Sequence, residues 1–252
     1  MKKNILLITY LLLNYSIAFG QNTPADTIKS NKGDIIIQPI IHGTLVLQWN
    51  NTTIYVDPYG GAALFKGIAA PDLILITDIH GDHTNLETLK GLDTKKAKFI
   101  VPSAVAEMLK DDYGNQLEII RNGEMSVQGD IFINALPMYN LPEDETSRHP
   151  KGRGNGYFLN LGGKAIYISG DTEDIKEMRT LKDIDIAFVC MNLPYTMDIN
   201  QAADAVLEFK PKIVYPYHYR GKPNMSDTKA FKKLVNDKNT EIEVRLKDWY
   251  SN

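Results

Sequence analysis

The chain has 252 residues, 43% of them hydrophobic, and a formal net charge of −3. That length suits one domain with a sizeable core and excludes two large ones. A mild acidic balance with no block of like charge argues against a nucleic-acid or anionic-membrane face and leaves a small molecule as the expected partner. Cys190 is the single cysteine, so no internal disulfide can form and core packing or bound metal must supply stability.

The chain starts with "MKKNILLITYLLLNYSIAFGQ": two lysines, an apolar stretch from Ile5 to Leu13, and the small-x-small site Ala18-Phe19-Gly20. This pattern predicts a cleaved export signal over residues 1–20 and a periplasmic or secreted protein. Asn14, Tyr15 and Ser16 interrupt the apolar run well short of the roughly 20 residues that span a bilayer, so no stable membrane anchor is expected. Residues 21–33, "QNTPADTIKSNKG", are polar and aperiodic and read as a flexible lead-in.

The folded domain is expected over residues 34–252. Short β-branched and aromatic runs come first: "DIIIQPI", "TLVLQW", "TIYVD" and "LILIT" read as strands. "NLETLKGL" follows with helical spacing, then the strand "KFIV" and the helix "SAVAEMLKDDY". "LEII", "IFINALP", "YFLNL" and "AIYIS" are further strands, and "EDIKEMRTL", "NQAADAVLEFK" and "SDTKAFKKLVND" further helices. "IAFVCMN" extends an apolar strand, which makes Cys190 a core residue. This order predicts an α/β or α+β domain with two sheets inside and helices outside. Residues 137–157, rich in Pro, Gly and charge, form the least regular segment, and long irregular loops in compact domains are usually functional.

"ITDIHGDHTN", residues 76–85, places two acids and two histidines directly after the apolar strand "LILIT". Asp78 and His80, two apart in extended backbone, project to one side, and Gly81 is expected to let Asp82 and His83 fold back toward them. Imidazoles and carboxylates together suit zinc, iron or manganese. The plainer alternative is that Asp82 or Thr84 caps the next helix. Two more strands end in a metal-capable side chain, "AIYISGD" at Asp171 and "KIVYPYH" at His218, and the irregular loop holds His149.

Taken together, "DIHGDH" at 78–83, His149 in "SRHPKG", Asp171 in "SGDT" and His218 in "YPYHY" resemble the metallo-β-lactamase superfamily pattern H-x-H-x-D-H…His…Asp…His. "IHGTLVLQWNNTTIYVDPY" resembles that superfamily's opening hairpin in a branch of small metal-dependent hydrolases that includes lactonases. The resemblance implies a four-layer αββα sandwich and two divalent metal ions, with zinc expected and manganese or iron as alternatives. It implies Asp78, His80 and His149 at the first ion, Asp82, His83 and His218 at the second, and Asp171 between them. It also implies hydrolysis of a small ester, lactone, amide or phosphoester by a metal-bound hydroxide, with Asp82 orienting the water. The sequence departs from the pattern at Asp78, where the family has a histidine: as a ligand its anionic oxygen would make the site harder and more negative, and the alternative is that Asp78 holds the His149 or His80 ring and binds no metal itself.

Tyr139, Arg148, Arg153, Asn155 and Tyr195 are candidate substrate-binding residues in segments expected near the metal edge, with Asn140 and Tyr217 nearby. His42 reads as a hydrogen-bonded structural residue, and Gly154 and Gly156 as turn glycines of the loop. An iron-dependent oxidoreductase on the same fold and a non-catalytic metal-binding protein are the alternative functions.

Overall fold

The computed structural model describes residues 23–250, so the predicted export signal lies outside the described residues. The first sheet runs β1 (Asp26–Ile28), β2 (Ile35–Ile41), β3 (Thr44–Trp49), β4 (Thr52–Val56), β5 (Leu73–Leu75), β6 (Lys98–Val101) and β7 (Leu117–Ile119). Its strands neighbour one another in chain order, antiparallel from β1 to β4 and parallel from β4 to β7. The second sheet comprises β8 (Met125–Gln128), β9 (Ile131–Met138), β10 (Gly154–Leu161), β11 (Lys164–Ile168), β12 (Ile186–Cys190), β13 (Ile213–Tyr217) and β14 (Glu243–Val244). It repeats the plan, antiparallel from β8 to β11 and parallel from β11 to β14. The repeat is one of topology, without visible self-similarity in sequence.

Alternation along the strands produces the layers. In the first sheet Leu45, Leu47, Ile54, Val56, Leu73, Leu75 and Ile100 point into the core shared with the second sheet. The residues between them, Val46, Tyr55, Ile74, Phe99 and Val101, face a separate apolar cluster under helices α1 (Leu86–Gly91) and α2 (Ser103–Tyr113). Side chains of a strand alternate between faces, so a run with no polar position must be covered on both. The outer face of the second sheet is covered by α3 (Lys176–Arg179), α4 (Ile199–Phe209) and α5 (Thr228–Asn236), through Met178, Ala202, Val206, Phe209, Phe231 and Val235. The order is helices, sheet, sheet, helices, an αββα sandwich.

Local signals set the helix ends. Asp198 starts α4 with a capping box, accepting from the Asn200 and Gln201 amides while the Gln201 side chain accepts from the Asp198 amide. Asp227 accepts from two amides at the start of α5. Cys190 ends β12 buried, its thiol pushed up to about 11 by burial and then by the charge of Asp171. Among the described residues, no helix is long and apolar enough to cross a membrane.

Two expectations need correction. The lead-in over 21–33 is not wholly irregular: Asp26–Ile28 pairs with β2, with Ile28 buried in the core and Asp26 bound to Tyr215 and Arg245 across the molecule. Three residues are too few to show a period, so partners distant in sequence make this strand. "EDIKEMRTL" forms a single helical turn, Lys176–Arg179, rather than a longer helix.

Candidate metal centre

Strands β4, β5, β11, β12 and β13 run parallel within their sheets, so the loops leaving their carboxyl ends gather along one edge of each sheet. Residues 76–85 leave β5 there as a tight turn, in which the His83 and Thr84 amides donate to the His80 carbonyl at 2.9 and 2.8 Å. The N-cap of α1 is Asn85, whose side chain accepts from the Thr88 amide at 2.9 Å. Neither Asp82 nor Thr84 is needed as the cap, which leaves the Asp82 carboxylate for other partners. Gly81, expected to permit the turn, does not have a positive φ, and a Cβ there would meet open space.

Asp78, His80 and His149 form one ligand-capable group. His80 Nδ1 lies 2.5 Å from Asp78 Oδ2, and His149 Nε2 lies 4.0 Å from the same oxygen. His83, Asp171 and His218, all buried, form a second group, and His42, Asp82 and His218 a third. Asp171 stands at their junction. Its Oδ2 is 3.3 Å from His149 Nε2 and 3.4 Å from His83 Nε2, and its Oδ1 is 3.4 Å from His218 Nε2. Asp82 Oδ2 lies 3.4 Å from His218 Nε2, and the Nε2 atoms of His83 and His218 are 3.3 Å apart.

This donor set fits a cation on two counts. Buried polar atoms are almost always hydrogen-bonded, yet His149 Nε2 and Asp171 Oδ1 make no well-formed hydrogen bond. The other nitrogen of two of the imidazoles is already committed. Asp57 Oδ2 holds His83 Nδ1 at 2.8 Å, and Asn140 Oδ1 holds His149 Nδ1 at 3.0 Å and also accepts from the His149 amide at 2.8 Å. Each acceptor selects the tautomer that leaves Nε2 bare, the arrangement that orients metal-ligating histidines.

The electrostatics agree. Burial disfavours charge on His83, but Asp171 and Asp57 outweigh it and push its pKa well above the ordinary imidazole value. Burial alone would raise Asp171, but His218 and His83 hold it well below the carboxylate range. Asp82 is likewise low: against the cost of burial stand its hydrogen bond to His218 and the charges of His83 and His218. Asp78 is held down to about 2, with burial opposed by the His80 hydrogen bond and by the charges of His83, His80 and Arg153. Acids and imidazoles thus stabilise one another's charged forms here, and a divalent cation would compete with protons for the same atoms.

The structure brings together all seven residues expected as ligands. His42 joins them: it bonds Tyr250 through Nδ1 at 3.1 Å, and it also offers a nitrogen to the group with Asp82 and His218. A cavity of about 260 Å³ opens beside this end of the site, and Arg148 and Tyr195 line it as anticipated. Three other expected substrate contacts are corrected. Tyr139 is buried with its hydroxyl on Glu177 at 2.9 Å, and Asn155 is buried with its amide on the Ile120 carbonyl at 2.8 Å, so neither faces the cavity. Arg153 turns instead to Asp78, meeting both carboxylate oxygens at 3.2 and 3.3 Å. Gly154 and Gly156 belong to β10 rather than to a turn. A Cβ on Gly154 would stand 2.7 Å from the Thr77 carbonyl, and one on Gly156 3.0 Å from that of Ser169, so both allow close backbone approach beneath the ligands.

Asp57 and Asn140 were not anticipated in these roles. A signal for Asp57 existed, since "TIYVD" is a further strand ending in an acid. Asp57 also accepts from the Thr77 amide at 2.7 Å and the Thr77 hydroxyl at 2.6 Å, which ties the end of β4 to the start of the ligand turn.

A two-sheet sandwich with histidines and aspartates gathered at the strand ends defines a class of metal-dependent enzyme, and residues 37–218 match the beta-lactamase superfamily domain. The chain belongs to that superfamily and is a metal-dependent hydrolase. It is 33% identical over 173 residues to a UPF0173 metal-dependent hydrolase of Pyrococcus abyssi, covering 66% of this chain and 75% of the relative. The structure resembles that of a protein from Parabacteroides distasonis assigned as a metal-dependent hydrolase, with a TM-score of 0.78 and 36% identity over 89% of this chain and 98% of that one. It shares its fold with a metallo hydrolase from Ignicoccus hospitalis, with a TM-score of 0.72 and 24% identity over 84% of this chain and 94% of that one.

Proposed function

We propose that the chain is an exported hydrolase that cleaves a small ester, lactone, amide or phosphoester with two divalent ions, zinc first among the candidates. The observation that carries this reading is Asp171, whose two oxygens lie within 3.4 Å of three imidazole nitrogens, His149 Nε2, His83 Nε2 and His218 Nε2. A carboxylate so placed suits a bridge between two cations. Asp78, His80 and His149 would hold one ion, and Asp82, His83 and His218 the other. When bound, such ions acidify water and polarise a carbonyl or phosphoryl oxygen.

The chain's own groups do the rest. Asp82, about one-third exposed where its carboxylate meets the cavity, is placed to accept a hydrogen bond from water and orient it toward substrate. Asp57 and Asn140 keep the His83 and His149 rings from turning. The arrangement calls for no nucleophilic side chain, and Cys190 is buried behind Thr172 with its thiol on that residue's carbonyl at 3.4 Å. Export is supported by the apolar stretch after Lys2 and Lys3 and by the Ala18-Phe19-Gly20 site.

Elemental analysis of protein purified without chelators tests the centre, with about two ions per chain expected from the two ligand groups. Turnover of nitrophenyl esters, lactones and phosphoesters, lost on chelation and in Asp82→Asn, tests the reaction. Redox-active iron in the optical spectrum without hydrolysis would move the reading to an oxidoreductase. N-terminal sequencing of the exported protein tests cleavage after Gly20.

A further inference from the structure

The cavity beside Asp82, Asp171 and His218 has a wall of one sign. Arg148, Arg220 and Lys222 line it, and its only acids are Asp82 and Asp171, both within 3.4 Å of His218 Nε2 and committed to the ligand cluster. Among the described residues, none of the three cations makes an ion pair with a carboxylate. Aromatic rings hold them instead: the Arg148 guanidinium lies 4.5 Å from the Tyr195 ring centre, Arg220 4.1 Å from Tyr250, and the Lys222 ammonium 6.0 Å from Tyr195. Ring faces attract cations without neutralising them.

The backbone keeps this wall in place. The Lys222 amide donates to the Leu193 carbonyl at 2.7 Å, and Gly221 lies so close that a Cβ there would fall 2.1 Å from the same oxygen. The loop carrying Arg220 and Lys222 is thereby fastened to the loop carrying Tyr195. On the opposite side the Arg148 carbonyl accepts from Arg153 at 2.5 Å, which ties that loop to Asp78. The chain as a whole is acidic, so three unneutralised cations around one small cavity are a local feature. Divalent ions in the ligand cluster would add positive charge and leave no protein anion for this wall.

We propose that Arg148, Arg220 and Lys222 form an anion subsite, and that the substrate carries a carboxylate or phosphate held there while its scissile bond reaches the Asp82 end of the cavity. This rests on the hydrolase reading above and narrows its substrate to a small anionic molecule. Guanidinium groups suit either anion because their paired N–H donors match two oxygens. A cavity of about 260 Å³ admits such a molecule and little more.

The test uses metal-loaded protein with its metal content measured, titrated calorimetrically with inorganic phosphate and, separately, with succinate at fixed ionic strength. The same titrations follow in the Arg148→Gln/Arg220→Gln double variant and in Arg148→Gln alone, a single exposed substitution. The expected result is binding of at least one anion by the parent, weakened about tenfold or more in the double variant and less in the single one, with metal content unchanged. Binding of phosphate alone assigns the subsite to phosphoryl groups, and binding of succinate alone to carboxylates. A parent that takes up no metal overturns the hydrolase reading and this one with it. A parent that holds its metals but binds neither anion, or binds them as well after both substitutions, overturns the subsite alone.

Discussion

Arg153 reaches Asp78, the first acid of the ligand turn, and meets both of its oxygens at 3.2 and 3.3 Å. Asp78 is fully buried and Arg153 mostly so, which pairs an anion of the first ligand-capable group with a cation already supplied by the protein. In the metal-free chain Arg153 stabilises a buried charge; in the loaded chain it competes with a metal for that charge. Arg153→Met should therefore destabilise the metal-free protein by about 1–3 kcal/mol, and loading should recover part of the loss. Calorimetric melting with and without metal checks this: the rise in Tm on loading should be larger in the variant than in the parent. A smaller rise would mean that Arg153 orients Asp78 for the metal rather than competing for it.

Asp57 holds His83 Nδ1 at 2.8 Å and sits at φ +45°, a left-handed conformation that asparagine tolerates. Asp57→Asn thus keeps the backbone and the size of the side chain while removing the anionic acceptor. Losing such an acceptor behind a ligating histidine costs about 10- to 100-fold in metal affinity. Competition titration against a chromophoric chelator should show that loss, with the circular dichroism of the folded chain unchanged.

Gly154 lies against the Thr77 carbonyl, one residue before Asp78. In Gly154→Ala the added methyl must displace backbone, because a Cβ there would sit 2.7 Å from that oxygen. Overpacking of this kind costs about 1–3 kcal/mol. The expected result is a lower Tm together with weaker metal retention, since β10 and the ligand turn have to separate. A variant with parental stability and metal content would show that the two segments relax independently.

Asp26 joins the first strand to the last part of the chain, accepting from the Tyr215 hydroxyl at 2.7 Å and pairing with Arg245 at 3.1 Å. Burial would raise its pKa, but the Tyr215 hydrogen bond and the charges of Lys247 and Arg245 lower it on balance. A carboxyl with a depressed folded pKa contributes stability that is present above its unfolded pKa, about 3.9, and is lost as the pH falls through the lower folded value. The site is partly exposed, so the contribution is about 0.5–1 kcal/mol. Urea denaturation of Asp26→Asn should show that deficit at pH 7 and a shrinking one as the pH is taken below 4.

Much of the architecture was legible in the chain because it rests on local periodicity. β3, β4 and β6 read as strands because every second side chain serves a different apolar layer, and α4 reads as a helix from its apolar spacing. β1, β8 and β14 are short edge strands of two to four residues, and pairing with neighbours rather than pattern brings them into the sheets.

The ligand candidates could be named from sequence because Asp78, His80, Asp82, His83, Asp171 and His218 follow directly on apolar strands, and parallel strands deliver their carboxyl ends to one edge. What each side chain in the irregular segment faces was decided only by tertiary structure. Asn140 turns to His149, Tyr139 to Glu177, Arg153 to Asp78 and Asn155 to the Ile120 carbonyl, every one a choice between partners far apart in sequence. The same holds for the cavity wall, where Arg148 and Arg220 come from loops separated by four strands and meet at one cavity with Asp82 only in the folded chain. Strand periodicity is a property of neighbouring residues. The direction of a loop side chain depends on which distant groups remain to be neutralised or hydrogen-bonded once the sheets have packed.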